Sequence, residues 1–184
     1  MIPTLSTVVH QIDAETNRKL KQELTAASWT LHHDSERYLK GGALRFGESS
    51  WLIKTNDWLM VMENNCKMFT ESFNLASKFL KDNQKFGRMY WHKLRPGDRI
   101  ELHDDSAHAF SKYIQHRYQV FLDLDEGFEI FCDNEVKDTK KFSNAVVDFN
   151  LLAPHAYKNN SSKPVYLMVF DIFDKDFLPV FGTP

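Results

Sequence analysis

The sequence predicts a mostly β fold, a sandwich or barrel with a helical layer packed outside it. Three observations carry this. From Gly87 onward, short strand-like runs are separated by turn residues. In the first half, two segments place apolar residues at helical spacing instead. The chain has 184 residues, 42% of them hydrophobic, with fifteen Phe, six Tyr and four Trp, which suits a single domain over 1–184. Residues 1–86 then read as a helical and mixed N-terminal support, and 87–173 as the β core.

The elements follow in chain order. Asp13–Ser28 (DAETNRKLKQELTAAS) opens with an N-capping Asp and an acidic first turn, then sets Leu20 and Leu24 one helical turn apart. Asn64–Leu80 gathers Phe69, Phe73, Leu75, Ala76, Phe79 and Leu80 on one apolar face. Arg88–Lys93 is strand-like and runs into the turn Arg95-Pro96-Gly97-Asp98. Arg99–His103 follows, then a polar loop over Asp105–Lys112, and then the strand Gln115–Asp123. Asp125-Glu126-Gly127 turns the chain into Phe128–Cys132, and Ala145–Asn150 and Val165–Phe173 complete the series.

Composition excludes several functional classes. Net charge is −2 without basic or acidic blocks, which argues against a nucleic-acid groove or an anionic-membrane patch. No apolar run reaches the length of a membrane span, and the N-terminus lacks the pattern of a signal peptide. Cys66 and Cys132 stand alone, outside any CxxC pattern, so neither a disulfide framework nor a zinc finger is expected. The expectation is a cytoplasmic protein with no nucleic-acid or membrane partner.

Chemistry concentrates at His103-Asp104-Asp105. On extended backbone His103 and Asp105, at i and i+2, leave the same face and can reach one ion, whereas Asp104 points away. His155 opens another strand region, and a barrel can bring it opposite them. Two imidazoles and one carboxylate suit a mononuclear non-haem Fe(II) site, leaving three coordination positions for other ligands. Read without further context, the same residues could be ordinary polar groups of a loop.

The runs GRMYWHKLRPGDRIELHDD, HRYQVFLDL and VVDFNLLAPHAYKNNSSKPVYLMVFDI supply that context. Together they resemble the aspartyl/asparaginyl β-hydroxylase family of 2-oxoglutarate-dependent oxygenases, and related proline hydroxylases. Pro96-Gly97, Ile100, His103, Asp105, Arg117, Leu122, Phe149, Asn150, Pro154-His155, Asn159, Leu167 and Phe170-Asp171 fall in the family's order over about 87–173. The resemblance implies a double-stranded β-helix (jelly-roll, cupin-like) with flanking helices, and Fe(II) held by His103, Asp105 and His155. It implies 2-oxoglutarate as co-substrate, dioxygen as oxidant, and hydroxylation of an Asp-, Asn- or Pro-like residue in a peptide or a free amino acid. Arg117 matches a position that helps hold the co-substrate. The family's Arg ten residues after the distal His is replaced here by Val165; Lys163, two residues earlier, would point the same way on an extended strand and is the substitute candidate. A cupin-like barrel that binds metal or a small ligand without turnover is the alternative. Weaker candidates are Trp29, His32, Arg45, Tyr90, Trp91, His108 and His116, with Asn150 and Asn159 as residues that could orient the site.

Overall fold

The computed structural model describes residues 6–31, 48–53, 69–105, 113–150, 152–174 and 176. Among these, eleven strands form two antiparallel sheets. The larger sheet runs in the order β1 (Thr7–Gln11), β9 (Ala145–Asp148), β6 (Ile114–Leu122), β11 (Val165–Asp174), β4 (Gln84–Leu94), β3 (Glu48–Ile53) and β2 (Thr30–Leu31). The smaller runs β5 (Arg99–His103), β10 (His155–Asn159), β7 (Phe128–Cys132) and β8 (Glu135–Val136). From β4 to β7, and again from β9 to β11, successive strands alternate between the two sheets. This winding is the double-stranded β-helix that the family resemblance implies.

Alternation in β11 shows how one strand serves two cores. Val165, Leu167 and Val169 face the smaller sheet and join Leu94, Phe121, Phe128, Ile130 and Tyr157 in the barrel interior. Met168, Phe170 and Ile172 face the other way, where they meet Leu20, Leu24, Leu75 and Trp91 beneath the helices. A strand buried on both faces reads as a continuous apolar run, as VYLMVF does. Each large side chain so buried contributes about 1.5–3 kcal/mol relative to exposure.

The helical layer consists of α1 (Ala14–Ala26) and α2 (Thr70–Ser77); a short α3 (Thr139–Phe142) lies between β8 and β9. Asp13 caps α1 as expected, its carboxylate accepting from the Thr16 amide at 2.8 Å. The expected helix over 64–80 is shorter in the described residues, and its residues 64–68 lie outside them. Phe69 precedes α2 and makes no side-chain cap. Glu23 of α1 supplies one instead, accepting from the amides of Glu71 and Ser72 and from the Ser72 hydroxyl. Trp91 then donates its indole N–H to Ser72 at 3.0 Å, pinning the helix pair to β4. The first 86 residues contribute strands as well as helices, because β1 pairs with β9 and β3 with β4.

The end of the barrel away from His155 is tightly closed. The Asn159 amide donates to the carbonyls of Leu94 and Lys163, and its carbonyl accepts from Ser161. Gly127 lets the turn before β7 approach that loop: a Cβ there would lie 2.7 Å from the Ser161 backbone. The Asn160 amide donates to the Gly127 carbonyl at 2.8 Å across the same contact.

Candidate metal centre

β5 ends at His103 and β10 begins at His155, and the antiparallel register places these two residues directly opposite each other. Their ring centroids lie 4.3 Å apart. Asp105 follows His103 by two residues and returns its carboxylate to the same place. The Nε2 atom of His103 lies 3.9 Å from one Asp105 oxygen, and that of His155 lies 3.7 Å from the other. Ligand-capable atoms of the three residues all fall within 4.8 Å of one another. His155 and Asp105 are buried, while His103 is partly exposed, so the cluster opens toward solvent on the His103 side.

Hydrogen bonds settle which nitrogen each imidazole presents. His103 Nδ1 lies 2.7 Å from the Glu101 carbonyl, and His155 Nδ1 lies 3.0 Å from the Ala153 carbonyl. A carbonyl only accepts, so each Nδ1 carries a proton and Nε2 is the nitrogen turned toward the Asp105 oxygens. Burial, and then the neighbouring His103, push the His155 imidazole down to about 4, so it is neutral at pH 7. Adjacent ligands on an octahedron with bonds of about 2.1 Å stand about 3 Å apart. The two His–Asp separations, 3.9 and 3.7 Å, need a contraction of less than about 1 Å to reach that value, and the cluster as a whole, within 4.8 Å, one of up to about 1.8 Å. Two oriented imidazoles and a carboxylate fit a divalent transition metal of the Fe(II) type, with no fourth protein ligand among the described residues to close the site.

Arg117 lies directly behind Asp105 and is almost fully buried. Its Nη1 donates to Asp105 Oδ2. Its Nε and Nη2 donate to the two oxygens of Asp171, at 2.6 and 3.0 Å. Arg88 reaches the same Asp171 at 2.7 Å. Burial alone would raise the Asp171 carboxyl, but the Arg117 and Arg88 guanidiniums outweigh it and hold the group below its ordinary range. The sequence reading assigned no role to Arg88 or Asp171. The available signal was Asp171 itself, a charge inside an apolar strand, which must find a partner when buried.

Lys163 does not join the cluster. It is exposed on the loop between β10 and β11, where its carbonyl accepts from Asn159. Asn159 stands four residues, about 13 Å of strand, beyond His155. Lys163 lines a surface cavity with Lys21, Asp123 and Ser143 at that closed end. Val165 is buried among apolar side chains of the barrel. Asn159 likewise braces the far end and makes none of its hydrogen bonds to the metal cluster, and Asn150 accepts from the Leu152 amide. His116 faces outward, paired with Asp148 at 3.0 Å. Trp29 packs on Tyr166 at the edge of the helix-side core, and Trp91 is core. His32, Arg45 and His108 lie outside the described residues.

Beneath the cluster, a layer of neutral polar groups spans the two sheets. Tyr157, two residues past His155, donates its hydroxyl to the Gln119 carbonyl oxygen at 2.7 Å, and Gln119 stands two residues past Arg117. Burial raises the Tyr157 phenol far above its ordinary value, so it remains a neutral donor. Tyr90 meets His92 edge-on at 4.8 Å.

Comparison with protein-family models and with curated proteins finds no match. Solved structures do match. An oxidoreductase of the 2OG-Fe(II) oxygenase family from Burkholderia pseudomallei superposes with a TM-score of 0.64 at 8% identity, covering 91% of this chain and 85% of that one. The viral collagen prolyl hydroxylase of Paramecium Bursaria Chlorella virus-1 gives 0.58 at 14% identity, over 93% and 96%. A Pseudomonas putida prolyl-4-hydroxylase gives 0.50 at 14%, over 92% and 91%. These likenesses establish a shared fold. Among the described residues, no helix is long and apolar enough to cross a membrane.

Proposed function

We propose that the chain is an Fe(II)- and 2-oxoglutarate-dependent dioxygenase that hydroxylates an Asp-, Asn- or Pro-like residue or free amino acid. The observation that carries the reading is that ligand-capable atoms of His103, Asp105 and His155 lie within 4.8 Å of one another, each imidazole anchored at Nδ1 by a backbone carbonyl. The fold shared with oxygenases and prolyl hydroxylases supports it. Bound there, Fe(II) with 2-oxoglutarate would supply dioxygen chemistry, one oxygen atom entering the substrate C–H bond and the other the succinate formed as carbon dioxide leaves.

The chain's own part is coordination, orientation and exclusion of water. His103, Asp105 and His155 would hold the ion and leave its remaining positions to incoming ligands. The carbonyls of Glu101 and Ala153 fix the ring planes. Phe149 packs edge-on against His155 at 5.0 Å and screens its inner side from water. For the far carboxylate of 2-oxoglutarate, Lys163 is not placed to serve, and Arg117 already carries two carboxylates. Among the described residues, Gln119, two positions past Arg117, has its carbonyl oxygen taken by the Tyr157 hydroxyl, and its amide N–H is the neutral donor proposed to meet the co-substrate. The buried Val165 favours a second reading, a cupin-like barrel that binds metal or a small ligand without turnover.

The test is anaerobic addition of Fe(II) and then 2-oxoglutarate, with wild type and His103→Ala followed in parallel. The dioxygenase gives a visible metal-to-ligand charge-transfer band in wild type only, and forms succinate once oxygen is admitted with substrate. Iron uptake with neither band nor succinate supports the binding protein.

A further inference from the structure

A buried guanidinium is costly, and a buried ion pair is commonly no more stabilising than apolar side chains of the same volume. Buried Arg117 and Asp171 nevertheless form, with the partly exposed Arg88, a continuous chain across β6, β11 and β4, and it ends on Asp105. Strand register sets the chain, since Asp171 and Arg117 are direct neighbours across β11 and β6. The planar fork of Arg117 is clamped from one side by both Asp171 oxygens, which aims its remaining nitrogen at Asp105 Oδ2. Oδ1 is turned toward His103 at 3.9 Å, while Oδ2 lies 3.7 Å from His155 with the Arg117 guanidinium already engaged on it.

We propose that Arg117 is the positioning residue of the metal centre: it fixes Asp105 to coordinate through Oδ1 alone, with Asp171 and Arg88 as its support. The inference depends on the metal reading above and assigns Arg117 to the ion in place of the co-substrate. Monodentate coordination has a consequence for reactivity. A carboxylate that took the ion with both oxygens would fill a fourth position, leaving two where chelating co-substrate and dioxygen need three. A lysine cannot substitute, because a point donor does not serve Asp171 and Asp105 in one fixed geometry.

The experiment is Co(II) titration of the metal-free full chain, without any 2-oxo acid, read by the visible d–d absorption. Wild type, Arg117→Lys, Arg117→Gln, Asp105→Ala and the Arg117→Lys/Asp105→Ala double variant are compared, with circular-dichroism melts reporting folding. The expected result is Co(II) affinity weakened about 10–100-fold in both Arg117 variants, with an altered absorption envelope. In the Asp105→Ala background, Arg117→Lys should add no further loss, because its effect passes through that carboxylate. A folded Arg117→Lys protein with wild-type Co(II) affinity and spectrum overturns the proposal. X-ray absorption of the wild-type Co(II) protein decides independently of any variant: one Asp105 oxygen on the ion supports the proposal, two overturn it. Wild type that takes up no Co(II) would instead remove the metal reading itself.

Discussion

Cys132 and Tyr157 face the same barrel interior and show what burial does to a single polar group. Burial, reinforced by the neighbouring Asp133 carboxylate, pushes the Cys132 thiol up to about 12. At pH 8 only about one molecule in 10⁴ then carries a thiolate there, and the thiolate is the nucleophile. Iodoacetamide should leave Cys132 unmodified in the folded protein and label it after guanidinium unfolding, as peptide mass spectrometry would record. Tyr157→Phe keeps the ring but strands the Gln119 carbonyl oxygen. Leaving a buried acceptor unpaired should cost about 1–3 kcal/mol, measured as a lowered urea midpoint with an unchanged slope. The site residues divide in the same physical way. His103 and Asp105 were readable because their pairing is local, two positions on one extended segment. Arg117 stood out in the sequence as a co-substrate position and not as a partner of Asp171, since that contact joins residues 54 apart through strand register.

Elements are held to one another here by borrowed caps and close turns. Glu23→Ala removes three acceptor contacts at the start of α2, whose own N-cap position is Phe69. It should destabilise the protein by about 1–2 kcal/mol, toward the upper end of capping losses, whereas Asp13→Ala on exposed α1 should cost about 1 kcal/mol. Chemical denaturation of the two variants beside wild type checks the order. Gly127→Ala should lower the melting temperature because its Cβ would strike backbone that has no rotamer to yield. Arg99–His103 and Phe128–Cys132, each set off by a preceding turn, have the boundaries expected from the sequence. β1 (TVVHQ) and the two-residue β2 and β8 were not readable, being short edge strands whose extended form depends on a neighbour. Lys163 lies apart from the cluster for a related reason. The two-residue alternation holds only along a strand, and β11 begins at Val165, after a bend of the chain.

At the scale of the whole molecule, the Arg88–Asp171–Arg117–Asp105 chain ties three strands and the metal loop into one charged unit. Because the Asp171 carboxyl is held below its unfolded value of about 3.9, its contribution to stability is complete above that pH and is lost as acid protonates it. Thermal melts of the wild type should therefore change little from pH 7 to about 5 through this group and fall below about 4. Asp171→Asn leaves two guanidiniums short of a partner, so it should cost about 3–5 kcal/mol at pH 7 and lack this acid-dependent component. The signs along that chain alternate and cancel: two cations, two anions. A divalent ion held by His103, Asp105 and His155 would therefore bring two positive charges that this chain of side chains does not compensate. A protein so loaded would attract anions that the metal-free form does not. Loading is thereby ordered by charge, cation before acid, and small chelating anions such as oxalate should bind the metal-filled barrel and ignore the metal-free form.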